Sequence, residues 1–122
     1  MSLVLVVTDE PWVRNEVHAA LTEPTYILID HDDPATAAAK AAEEQVDVVV
    51  ADLQVGAMGG MAMVRAVRHG DEQAGREFTP VVMLLDRAAD AFLAKRAGAA
   101  GWVTKPFTTA MIREVLEQAT GG

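Results

Sequence analysis

The stretch Val46-Asp47-Val48-Val49-Val50-Ala51-Asp52 decides how this chain folds. Its apolar run, Val46 to Ala51, is short and nearly continuous, the pattern of a strand buried on both faces rather than on one. Such a strand lies inside a parallel sheet and delivers one carboxylate, Asp52, to a loop edge. Gly56, Gly59 and Gly60 follow it.

Outward from this strand, strand and helix signals alternate. Leu3 to Val7 reads as a first buried strand ending in Thr8-Asp9-Glu10. Pro11 suits a first helical turn, and Val13, Val17 and Leu21 form its apolar stripe. Tyr26 to Ile29 is the second strand. Asp33 as N-cap and Pro34 at the first position open an alanine-rich helix to about Glu44. After the third strand, a helix from about Gly60 to His69 carries Met61, Val64 and Val67, with Gly70 as its C-terminal cap and Asp71 to Phe78 as a polar loop. Pro80 to Leu85 is the fourth strand, and a helix runs from about Arg87 to Ala97 before Gly98. Gly101 to Thr104 is a short fifth strand, and Thr108 to Ala119 a last helix on Ile112, Val115 and Leu116. Five strands alternating with five helices predict a parallel sheet covered on both faces, and the flavodoxin-like order 2-1-3-4-5 is a common solution.

Composition narrows the function. The 122 residues fit one domain, 1–122, with no output module expected after Gly121-Gly122. No apolar run reaches the roughly 18 residues of a membrane helix, and no basic leader precedes the first strand, so a cytoplasmic, membrane-free setting is expected. Ten Lys and Arg against 18 Asp and Glu give a net charge of −8, which opposes nucleic-acid binding. With no cysteine, thiolate chemistry and thiolate-bound metals are excluded. His18, His31 and His69 share no metal-ligand spacing.

In order 2-1-3-4-5, strands 1 and 3 are neighbours at the topological switch point, where ligands bind at the carboxyl ends of the strands. Asp9 and Asp52 then share one crevice, and Lys105 of Thr104-Lys105-Pro106-Phe107 approaches from strand 5. Two close carboxylates repel unless a cation lies between them, and a hard ion such as Mg²⁺ meets that need. One carboxylate can serve as a nucleophile toward a phosphoryl group while metal and ammonium neutralise its oxygens.

Val6-Val7-Thr8-Asp9-Glu10-Pro11, Val50-Ala51-Asp52-Leu53 and Thr104-Lys105-Pro106-Phe107, in this order and on these elements, resemble the response-regulator receiver domain of two-component signalling, the CheY-like family. The resemblance spans essentially the whole chain. It implies a signalling module rather than an enzyme: Asp52 accepts phosphate from a histidine kinase or phosphotransfer protein, Asp9 binds Mg²⁺, and Lys105 contacts the phosphoryl group. The Gln54 backbone carbonyl would complete the metal site with Asp9 and Asp52, and the Lys105-Pro106 peptide would be cis. Output would pass by protein contact to a target still to be identified, or by a homodimer. The surface of helix 4, strand 5 and helix 5 would carry that contact, including Ala91, Lys95, Trp102 and Arg113.

The chain departs from the family pattern at several positions. Thr8 replaces the first of two strand-1 acids, Leu85 the switch Ser or Thr, and Asp86 a small residue; Gly56 and Gly59 stand where proline and an acid are usual. A hydrogen bond to a charged group contributes about 1.5–3 kcal/mol, and a full two-state switch needs about 5.5 kcal/mol. Loss of the hydroxyl therefore removes a large share of the usual coupling. This keeps a second reading open, an atypical pseudo-receiver that works as an interaction module without phosphorylation. A third, an FMN-type binder, is opposed by Asp9 and Glu10, which repel phosphate. Each singled-out residue also has an ordinary reading: Asp9 or Asp86 as a helix cap, Trp102 as cover for the sheet edge, Met58, Met61 and Met63 as core packing, and Trp12 as an exposed ring at the crevice.

Overall fold

The structure, a computed structural model, describes residues 1–54 and 59–121. The strands are β1 (Ser2–Val7), β2 (Tyr26–His31), β3 (Val48–Asp52), β4 (Val81–Leu85) and β5 (Gly101–Thr104). They form one parallel sheet in the expected order β2-β1-β3-β4-β5. The helices are α1 (Pro11–Ala20), α2 (Pro34–Glu44), α3 (Gly60–Ala74), α4 (Ala91–Ala97) and α5 (Thr109–Thr120).

Side-chain alternation along the strands builds two cores. Leu5, Val7, Val49, Ala51, Met83 and Leu85 face Ala37 and Ala41 of α2, Met63, Val64 and Val67 of α3, and Ala94 and Ala97 of α4. Val4, Val6, Val48, Val50, Val82 and Leu84 face Val13 and Val17 of α1 and Ile112 and Leu116 of α5. Because both faces are covered, the central strands show no polar alternation. Small alanines in α2 let that helix lie close to the sheet. Among the described residues, no helix is long and apolar enough to cross a membrane.

Several element boundaries differ from the sequence reading. The third strand begins at Val48, because Gln45 takes a left-handed conformation (φ 53°) and the Val46 N–H donates to the Ala41 carbonyl, closing the end of α2. Helix α3 does not stop at Gly70 but runs to Ala74, with Gly75 (φ 69°) as its left-handed cap. The reason is Asp71, which is buried rather than looped into solvent. Its carboxylate accepts from Arg76 Nε and Nη2 at 3.1 and 3.0 Å and from the Thr79 N–H at 2.7 Å, drawing the helix end onto the entry to β4. His69 therefore lies within α3, not at its carbonyl end. Between β4 and α4 the chain makes a 3₁₀ turn, Ala88–Asp90, where a continuous helix from Arg87 was expected. Asp33 caps α2 and Thr108 caps α5, each accepting a backbone N–H on its side-chain oxygen.

Candidate functional site

β3 brings Asp52 to the carboxyl edge of the sheet between β1 and β4, paired with Leu84 of β4. Its side chain is only 1 % exposed, and three donors fix it. Lys105 Nζ donates to Oδ1 at 2.8 Å, the Gln54 N–H donates to Oδ1 at 3.2 Å, and the Thr8 hydroxyl donates to Oδ2 at 3.2 Å. The Thr8 oxygen in turn accepts the Glu10 N–H at 3.1 Å, so the turn after β1 is tied to the carboxylate of β3. Among the described residues, no buried side-chain nitrogen or oxygen lacks a partner.

Lys105 reaches this point because its own N–H donates to the Leu85 carbonyl at 2.8 Å, extending the β4–β5 ladder one step. The Lys105-Pro106 peptide is cis, as the resemblance implied. The side chain is 8 % exposed, and its ammonium also donates to Asp86 Oδ1 at 3.0 Å and stands 5.5 Å from the Trp12 ring centroid. Burial works against its charge, but hydrogen bonds and attraction from Asp52 and Asp86 outweigh it. The Lys105 pKa is accordingly raised above its ordinary 10.5.

Of the four residues read as the site, Asp52 and Lys105 meet directly. Asp9 lies one residue beyond Thr8 at the same sheet edge, exposed, and it does not cap α1, whose N-cap is Glu10. Gln54 touches Asp52 through its amide N–H. Asp86, read equally as a helix cap or a site residue, holds neither N-cap position, which fall to Arg87 for the 3₁₀ turn and Asp90 for α4, and it pairs with Lys105. Leu85 is fully buried in the core beneath α2, α3 and α4 and offers no polar atom.

The structure adds Thr8 and Gly60 to the site. Thr8 departs from the family pattern, and its hydroxyl is a direct partner of Asp52. Gly60 starts α3 so close to β3 that an added Cβ would lie 2.7 Å from the Asp52 carbonyl oxygen and 2.7 Å from Met83 Cε. Beside the pair Asp86–Lys105 opens a cavity of about 530 Å³, lined by Gln54, Gly59, Met61, Asp86, Arg87 and Leu93 among others. Gly56 and Met58 lie outside the described residues. Met63 is fully buried core, as read, and Met61 is half-buried.

The donor chemistry fits a divalent hard cation on a lean set. Asp9, Asp52 and the Gln54 carbonyl are oxygen donors of the kind Mg²⁺ accepts beside several waters. Among the described residues, no group of three or more His, Cys, Asp or Glu side chains can hold a metal. Thr8, where a further carboxylate would strengthen the set, contributes a hydroxyl already used on Asp52.

The residues of the expected contact surface differ in their surroundings. Arg113 is turned away from β5 toward α1, donating from Nε to the Ala20 carbonyl at 3.1 Å and from Nη2 to Thr22 Oγ1 at 3.4 Å. Its guanidinium thus adds a polar tie between α5 and the end of α1 to their shared apolar packing. Trp102 is half-buried against the α2–α3–α4 core, as the sheet-edge reading expected. The large exposed apolar side chains of α4 and α5 are Phe92, 58 % exposed, and Met111.

Residues 4–117 match the response regulator receiver domain. The transcriptional regulatory protein KdpE of Mycobacterium tuberculosis is 37 % identical over 109 residues, 88 % of this chain and 46 % of that protein. The chain thus spans about half the length of that relative. A chemotaxis protein CheY homologue of Campylobacter jejuni is 28 % identical over 97 % of this chain and 92 % of its own. The solved chemotaxis protein CheY4 of Vibrio cholerae superimposes with a TM-score of 0.82 at 30 % identity, covering 98 % of both chains. From its first strand to its last helix, the chain belongs to the family of response regulator receiver domains of two-component signalling.

Proposed function

We propose that Asp52 is the phosphoryl acceptor of this receiver domain, supplied by a histidine kinase or phosphotransfer protein, and that output passes by protein contact. The observation that carries this is the 2.8 Å hydrogen bond from Lys105 Nζ to a carboxylate that is 1 % exposed yet sits at the sheet edge. Three donors hold Asp52 in one orientation, which favours attack by a fixed oxygen. As the Asp52 O–P bond forms, the P–N bond of a phosphohistidine breaks, and the imidazole leaves with the electron pair and takes up a proton. Lys105 stands where charge gathers on the transferring oxygens. Mg²⁺, when bound, supplies further neutralisation of those oxygens, and Asp9, Asp52 and the Gln54 carbonyl would hold it. The short donor set makes that binding weak. The role is that of a stoichiometric acceptor and not of an enzyme.

The test is amide NMR with beryllofluoride and Mg²⁺ on the parent and on Asp52→Asn. Shifts at Thr8, Asp9, Asp52 and Lys105 that vanish in the variant are expected. An unchanged parent spectrum at saturating mimic would dismiss the acceptor role.

A specific observation favours the second reading, an interaction module that works unphosphorylated. Lys105 already has Asp86 as a second anion, and the place of the switch hydroxyl is taken by buried Leu85. On that reading Asp52→Asn leaves partner binding unchanged.

A further inference from the structure

Lys105 serves two carboxylates of unequal standing. Asp52 is buried and fixed by three donors, whereas Asp86 is 43 % exposed and held through the 3.0 Å bond to Lys105. Asp86 also forms part of the wall of the 530 Å³ cavity, which gives its carboxylate room to turn. It heads the connection that passes through Arg87 and the 3₁₀ turn directly into α4.

We infer that Asp86 is a resident anion on Lys105, occupying hydrogen bonds that a phosphoryl group on Asp52 needs, and that it is expelled when that group arrives. The inference rests on Asp52 being the acceptor. A phosphoryl group brings about −1.5 to −2 charges and three acceptor oxygens, anchored covalently beside the ammonium. Asp86 brings one charge on a half-exposed side chain whose ion pair water screens. The phosphoryl oxygens therefore win the ammonium, and repulsion drives Asp86 toward the cavity and the adjacent Arg87. Leu85 has no hydroxyl to follow the phosphoryl group, so the displacement of Asp86 is what couples Asp52 to the start of α4. Asp86 is thus a positioning residue that acts through Lys105, and it lowers the affinity of the site for phosphate-like ligands.

Beryllofluoride with Mg²⁺, titrated into the parent, Asp86→Asn and Asp86→Glu by amide NMR, tests this. Asp86→Asn is expected to bind about tenfold tighter, within the usual range for coupled sites, and Asp86→Glu to bind like the parent. The gap should narrow as salt is raised, since the competing charge is partly exposed, a response that a purely structural role would not give. A ligand-free measurement stands beside it: the scalar coupling across the hydrogen bond between Lys105 ¹⁵Nζ and the Asp86 carboxyl carbon. That coupling is expected in the resting protein and should disappear on saturation with the mimic. Equal or weaker binding by Asp86→Asn, or no such coupling at rest, overturns the inference. If neither parent nor Asp86→Asn binds the mimic, the acceptor reading fails and displacement falls with it. The coupling then still reports whether Asp86 is a static partner of Lys105.

Discussion

The Thr8 hydroxyl donates to Asp52 Oδ2 across 3.2 Å, linking the ends of β1 and β3 with a neutral group. Thr8 is itself buried, so the exchange of an acid for a hydroxyl changes both charge and metal affinity at one point.

Thr8→Asp should therefore do two opposite things. It adds a third carboxylate, and with the Gln54 carbonyl a fourth hard oxygen, and should tighten Mg²⁺ binding by about tenfold or more. Without metal it puts a second buried carboxylate against Asp52 and should cost about 1–3 kcal/mol. Melting curves with and without Mg²⁺ check this, and a variant that Mg²⁺ does not rescue would contradict it.

Lys105→Met leaves Asp52 buried without its cation and should destabilise the fold by about 2–3 kcal/mol at neutral pH. Because the Lys105 pKa is raised in the folded state, its contribution is fully present below about 10.5 and is lost as pH rises through the folded value. The difference between parent and variant in urea unfolding should thus hold up to about pH 10 and shrink above it. The Tyr26 pKa is raised by burial and then by Glu117, so both proteins also lose some stability above pH 10, but equally.

Asp71→Ala removes the acceptor of three hydrogen bonds, one of them from the Thr79 N–H at 2.7 Å. A loss of about 2–3 kcal/mol is expected by urea titration. Faster amide exchange confined to the end of α3 and to residues 75–79 would locate it.

Gly60→Ala places a methyl against the Asp52 carbonyl oxygen, a backbone atom that cannot yield as Met83 can. About 1–3 kcal/mol of stability should be lost, with weaker Asp52-dependent binding of beryllofluoride. A variant as stable as the parent would show that α3 shifts freely.

The strand order and both cores were legible because buried parallel strands leave unbroken valine runs such as Val48-Val49-Val50 between helical stripes. Asp52 and Lys105 were legible as strand-end residues in a shared crevice. What escaped the sequence was contact made across the chain. Asp71 reads as a loop acid until Arg76 and Thr79 fold onto it, and Gly70 then looks like a cap when Gly75 is the real one. Asp86 has cap-like chemistry, and only the reach of Lys105 from β5 makes it part of the site. Arg113 sits on the right helix for a contact surface, but its length carries it to Ala20 on α1.

That grip of Arg113 on the end of α1 leaves the two helices beside β5 unequally anchored. The twelve residues of α5 are capped by Thr108 at one end and tied near mid-length by Arg113. The seven residues of α4 begin without a side-chain cap, at the end of a 3₁₀ turn. Local opening is therefore expected to begin at α4 before α5, a difference that amide exchange would read directly.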